Sequence, residues 1–301
     1  MGHSWYALSV ARNSNHPLTL QLTGSLGIPN IGLWPEKPGE YSFVDTKVSE
    51  NVEYAYHALA LDEQRRPFSP TIWEKPAGQK LPKILKQCWF PGVHSNVGGS
   101  YDDAELADIT LAWMISQLDA LLYFDKGYVT WQHDLNVQYY KQNHEAVRPW
   151  SLGMIQNSRK GLQFLAGQKI REPGRYHSTN PRTGKTTDKP LENTNEHIHA
   201  CVRVRMGLGG LGTADSGPYN SEALQGWSLA GVDSNSEEVN DAVEPQHVGQ
   251  RNIRWEYGGD AKQGPMITLP EDELGDVELR LLEMYPELYQ KIWNIAPGAR
   301  R

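Results

Sequence analysis

The apolar positions of the first half fall into three blocks separated by Gly, Pro and charge. Lys83–Phe90 carries Ile84-Leu85 and Cys88-Trp89-Phe90, a short apolar run bounded by polar residues, which predicts a buried strand. In Val52–Asp62 the apolar residues Val52, Ala55, Tyr56, Leu59 and Ala60 recur at helical spacing and predict a helix, with Arg65-Arg66-Pro67 as its stop. After a glycine-rich loop, Asp102 with Glu105 three residues later has the form of a capping box. It predicts a helix to about Tyr123 that buries Leu106, Ile109, Trp113, Leu118 and Leu121. Residues 1–22 show neither period, and Leu18–Leu22 makes a poor strand ahead of the tight turn Thr23–Pro29.

The second half is less regular. Arg171–Asn195 is rich in Pro, Gly, Thr and Asn and predicts an exposed loop, and Asp233–Gln250 a polar, acidic one. His197–Arg205 alternates and predicts a half-buried strand; Arg251–Tyr257 predicts another. Glu271–Ile292 predicts a closing helix that packs Leu274, Leu281, Leu282 and the neighbouring Trp293. There is no internal repeat and no sharp domain boundary.

Composition narrows the class. The 301 residues are 39% hydrophobic and 22% charged, as in a soluble globular protein, and ten Trp and fourteen Tyr against five Phe imply many half-buried aromatics. A net charge of −7 argues against nucleic acid as a main partner, and Lys83, Lys86 and Arg159-Lys160 are too scattered for a basic patch. Cys88 and Cys201 lie in apolar runs and read as buried thiols. Residues 1–20 lack the features of a signal peptide, and no stretch approaches the roughly 18 apolar residues of a membrane span. The expectation is an intracellular, cytoplasmic protein without a transmembrane segment, cofactor or metal.

The chemistry concentrates at His94. It sits on the loop leaving the predicted strand, flanked by Gly92, Ser95, Asn96, Gly98 and Gly99, where backbone can approach a substrate and an imidazole titrating near neutrality can act as a general base. The plainer reading is a histidine hydrogen-bonded inside an ordinary turn. Three other motifs are weak. Gly226-Trp227-Ser228-Leu229-Ala230 approximates a nucleophile elbow but follows no apolar strand and comes after the histidine. Gly207–Gly212 has Gly-x-Gly-x-x-Gly spacing, but the turn cluster Thr213–Pro218 stands where a dinucleotide site needs a helix. His197 and His199 share one face of their predicted strand without a third ligand, so a polar strand face is the better reading.

WFPGVHSNVGGSY followed by ELADITLAWM resembles the catalytic domain of type VI secretion phospholipase effectors (Tle-like) and their fungal relatives, an α/β-hydrolase family. TGSLGIP at Thr23–Pro29 and EYAYHALALDEQRRPFSPTIW at Glu53–Trp73 agree with it, as do weaker features at His197–Arg205 and Leu269–Leu282. The resemblance implies an α/β fold and hydrolysis of a small-molecule or lipid ester through an acyl-serine, with His94 as the triad histidine. Two parts of the family pattern are missing. No Gly-x-Ser-x-Gly elbow precedes His94, and Gln21 stands at the position of the triad aspartate. Asp45 and Asp62 are poor substitutes, the first matching the family outside its triad and the second closing the predicted helix.

The resulting expectation is a partial α/β-hydrolase fold. Residues 1–22 form an atypical leader, 23–125 the C-terminal half of the hydrolase core and 126–301 a loop-rich extension on the same domain. The family's N-terminal half is expected to be absent, through a wrong gene start or a true truncation, leaving the chain inactive. The alternative is a non-catalytic binding protein that pairs through the sheet edge left open.

Overall fold

A computed structural model describes residues 8–13, 16–22, 46–158, 167–180, 186–231, 253–258, 266–289 and 292. Among them, eight strands form one sheet in the order β2-β1-β3-β4-β7-β10-β9-β8. They are β1 (Leu8–Asn13), β2 (His16–Leu22), β3 (Val52–Ala60), β4 (Ile84–Phe90), β7 (Glu196–His199), β8 (Trp227–Ala230), β9 (Arg254–Tyr257) and β10 (Ile267–Asp272). The centre, β3-β4-β7-β10, is parallel, and both flanks are antiparallel. A separate hairpin pairs β5 (His177–Thr179) with β6 (Thr186–Pro190). The helices are α1 (His94–Val97), α2 (Glu105–Leu118), α3 (Gly127–Gln142), α4 (Ala200–Gly207), α5 (Asp276–Glu283) and α6 (Pro286–Tyr289). The protein is therefore α/β, and no helix among the described residues is long and apolar enough to cross a membrane.

The expected strand at Lys83–Phe90 is β4, and both of its faces are buried. Cys88 and Phe90 join the layer of α2 and α5 with Ile109, Trp113, Val277 and Leu281; Trp89 joins the opposite layer with Ile198, Val202, Trp227, Trp255 and Leu269. The same double burial corrects the helix expected at Val52–Asp62. The segment is β3, with Tyr56 and Ala58 in the first layer and Leu59 in the second. A strand covered on both faces is apolar at successive positions, and over nine residues that pattern overlaps a helical stripe.

Several other expectations change in the same way. Residues 8–13 and 16–22, which lack side-chain periodicity, form β1 and β2; β1 pairs on both sides, so backbone bonding supplies what alternation does not. His197–Arg205 is a strand only to His199, whose Nδ1 accepts the Cys201 amide at 3.2 Å and starts α4. Arg171–Asn195 contains the β5–β6 hairpin, and Arg171 is buried against the carbonyls of Arg65, Phe68 and Lys169. The expected closing helix begins as the end of β10, breaks at 273–275 and resumes as α5 and α6; Trp293 lies outside the described residues, as do Thr23–Pro29, Asp45, Arg159-Lys160 and Asp233–Gln250. The start of α2 is not the expected capping box. Asp102 is exposed, Asp103 Oδ1 accepts the Glu105 amide at 3.3 Å, and Glu105 turns inward. The helix buries Leu106, Ile109, Trp113 and Leu118 as expected and ends at Leu118.

One polar side chain pins the loops under β4. The Gln87 amide bonds both backbone groups of Trp73 at 2.9 Å and the Thr194 carbonyl at 2.7 Å, and its oxygen lies 3.3 Å from His57 Nδ1. His57 stacks on Trp73, and burial lowers its pKa to about 4. Gln87→Leu should lower stability by about 3 kcal/mol in urea unfolding, because buried backbone groups lose their partners. His57 adds an acid sensitivity. Its folded pKa lies below the unfolded value of about 6.5, so the unfolded chain binds the extra proton between the two. Stability should fall by about 3 kcal/mol as pH drops from 6.5 to 4, and urea midpoints of His57→Gln should show a smaller fall across that range.

Candidate active site

The ladder between β3 and β4 continues past both strands. Leu61 N donates to Phe90 O at 2.9 Å and Asp62 N to Gly92 O at 3.0 Å. These bonds bring the turn after β3 beside the turn after β4 at the carboxyl edge of the parallel strands, where open α/β sheets hold their ligands. Gly92 has φ +108°, and a Cβ there would lie 2.7 Å from Asn96 Cβ, so the turn requires glycine. The chain then makes the single turn α1, closed by the Gly98 amide on His94 O at 2.8 Å.

Asn96 ties this turn to a strap at 150–158. Its Oδ1 accepts the Val93 and Gln156 amides, each at 3.2 Å, and its Nδ2 donates to Met154 O at 2.9 Å. From the start of α2, Glu105 accepts the amides of Ser151 and Gly153, and Asp103 Oδ2 accepts that of Met154 at 2.8 Å. Burial pushes the Glu105 carboxyl up to about 8, against the pull of those amides. The expected loop residues therefore divide by role. Gly92 and Asn96 shape the turn, Gly98 closes it, Ser95 lies in α1 beside His94, and Gly99 holds a left-handed φ of +70°.

Among the described residues the carboxylate that acts on His94 is Glu63, a residue the sequence did not single out. Glu63 Oε2 accepts the His94 amide at 3.2 Å and Arg65 Nη2 at 2.7 Å; Oε1 takes Arg65 N and Nε at 2.9 Å and the Ser158 hydroxyl at 3.3 Å. Asp62 turns elsewhere, its Oδ2 accepting Gly92 N at 2.6 Å and the Tyr219 hydroxyl at 3.0 Å. The turn after β3 sends the two carboxylates to different partners, and Glu63 is the one that reaches the His94 backbone. The His94 ring packs against Phe68, with centroids 5.2 Å apart, and the Arg65 guanidinium covers Phe68 at 3.8 Å.

Burial lowers the His94 pKa; Glu63 opposes the shift, while Arg65 and Arg171 add to it. The ring is consequently neutral at pH 7 and able to accept a proton. Burial also disfavours charge on Glu63, but the Arg65 guanidinium and the Arg65 and His94 amides outweigh it and hold the carboxyl below its usual range. Asp62 is raised, chiefly by burial. The site thus sets a neutral base beside a fixed carboxylate.

Residues 22–117 match the family model for T6SS, Phospholipase effector Tle1-like, catalytic domain. No match was found among curated proteins or among solved structures. The matched segment is about a third of the chain and holds β3, β4, the His94 turn and nearly all of α2. It bears out the resemblance to the phospholipase-effector family read from WFPGVHSNVGGSY.

The remaining motifs stand apart from this centre. Ser228 is exposed within β8, in no strand-to-helix elbow. Gly207–Gly212 runs from the end of α4 to a 3-10 turn at Thr213–Asp215. His199 Nε2 lies 2.6 Å from Glu278, and His197 Nδ1 lies 3.5 Å from Asp272, which also binds Lys86 at 2.6 Å.

Two measurements check this geometry. In Asn96→Asp the donor to Met154 O becomes a carboxylate oxygen, so the thermal midpoint should fall by a loss of about 1–3 kcal/mol at neutral pH. Histidine NMR should place the His94 midpoint below about 6.5. Glu63→Gln should lower it further, since removing a nearby negative charge disfavours imidazolium.

Proposed function

We propose that the segment carries the histidine side of a phospholipase-like ester-hydrolase centre, with His94 as its general base. The observation that supports this most is the pairing of a neutral His94 with the Glu63 carboxylate at the carboxyl edge of β3 and β4, inside the family-matched residues. In that chemistry the imidazole takes the proton of an attacking hydroxyl and returns it to the leaving alkoxide. Glu63 does not bond the ring; its field favours the imidazolium that forms in between. A lipid ester is the proposed substrate.

We further propose that this chain, on its own, does not turn over esters. Among the described residues no serine on a strand–turn–helix elbow faces His94, and the Ser158 hydroxyl is engaged with Glu63. Without a nucleophile, binding and oxyanion donors leave only a residual rate, orders of magnitude below a full triad. A non-catalytic binding role is the second reading, favoured by the engaged Ser158 hydroxyl.

Purified chain assayed with p-nitrophenyl butyrate should show no hydrolysis above buffer, and His94→Ala should leave that rate unchanged. Hydrolysis lost in His94→Ala would refute the inactivity and keep the base assignment. Hydrolysis that survives His94→Ala would sink the assignment itself.

A further inference from the structure

A pocket of about 240 Å³ opens against Asp62, the residue beside Glu63. Its polar lining is Asp62, Gln64, Thr213, Ser216, Asn220 and Glu222, with Tyr219 in the wall. The pocket is linked to the histidine turn through Asp62, whose Oδ2 holds both Gly92 N, two residues before His94, and the Tyr219 hydroxyl. Both bonds end on that one oxygen.

The charges around the pocket narrow what fits it. No lysine or arginine is among its lining residues. The guanidinium of Arg205 lies behind Tyr219, 5.2 Å from the ring, and bonds the carbonyls of Ser151, Gly153 and Leu211. Arg148 is held in a two-pronged pair with Asp215 at 2.8 and 2.6 Å. Among the described residues a phosphate would therefore meet two carboxylates in the lining and no lysine or arginine, which is repulsive. An ammonium group would meet a single aromatic ring, Tyr219, and with it the opposing positive charge of the Arg205 guanidinium 5.2 Å from that ring. Hydroxyl groups suit the lining well. They donate to carboxylates in short, charge-assisted bonds and exchange bonds in both directions with Thr, Ser, Asn and Gln side chains.

We propose that this pocket binds a neutral polyhydroxyl group, of the glycerol or sugar type, next to the His94 centre. Where that group is the head of a lipid, the inference rests on the ester-hydrolase reading and names the head group the site prefers. Where it is a free polyol, the pocket is a binding site independent of that reading.

Amide NMR of the purified chain tests it with methyl α-glucoside, glycerol and three dihexanoyl lipids below their micelle concentrations: phosphatidylglycerol, phosphatidic acid and phosphatidylcholine. Shifts centred on Thr213, Ser216 and Asn220 are expected with polyol-bearing probes. Each of Asp62→Asn and Glu222→Gln should weaken binding about tenfold, the loss expected for one charge-assisted hydrogen bond. Glu222 is exposed, so its variant keeps the test valid even where Asp62→Asn fails to fold. Binding of glucoside or glycerol alone points to a free polyol, and phosphatidylglycerol alone to a lipid head group. Equal shifts at these residues with phosphatidic acid and phosphatidylcholine would overturn the assignment while leaving the lipid reading intact. No shift with any polyol, free or lipid-borne, would overturn it outright.

Discussion

The parallel pairing of β3 with β4 is the constraint on which the site depends. Seven residue pairs from Tyr54–Ile84 to Ala60–Phe90 hold one register, and two further backbone bonds carry the ladder into the following turns. A one-residue slip would exchange the two buried faces of either strand, sending Trp89 into the layer built for Cys88 and Phe90. The same slip would separate Glu63 from the His94 amide. Packing energy and site geometry thus rest on the same register.

Polar groups beneath the sheet add to that specification. Asp272 gathers Lys86 at 2.6 Å, the Trp113 indole at 2.7 Å and His197 at 3.5 Å, from two other strands and α2. His199 and Glu278 form a second pair between the start of α4 and α5, with His199 stacked on Phe90. Burial disfavours a charged ring there, but Cys201 and Glu278 together raise the His199 pKa. Buried pairs of this kind gain little net stability over apolar packing, because desolvation offsets most of the attraction. They penalise alternatives strongly, since a shifted strand would strand a charge. For a sheet with a parallel centre and antiparallel flanks, that selectivity favours one strand order.

The His94 turn is held more firmly than an ordinary surface loop. Asn96, Asp103 and Glu105 together fix the strap 150–158 against it, and Glu63 fixes its first amide. A general base gains from such constraint, because proton transfer depends on where the imidazole points. The neighbouring pocket shares Asp62 with this framework, so whatever fills it contacts a residue one step from the carboxylate that holds the His94 amide.

The sequence alone determined β4, the buried positions of α2 and the histidine turn, because each depends on local apolar runs and on glycines around one titratable residue. It also carried the resemblance that the family match bears out, since WFPGVHSNVGGSY is contiguous. Val52–Ala60 was illegible because an element buried on both faces loses the alternation that marks a strand, and β1 and β2 because backbone pairing with each other and with β3, rather than a side-chain period, makes them strands. The partner of His94 was decided only by tertiary structure. Asp62 and Glu63 are adjacent carboxylates of similar chemistry, and only the turn after β3 and the Arg65 contact bring one to the His94 amide and the other to the pocket.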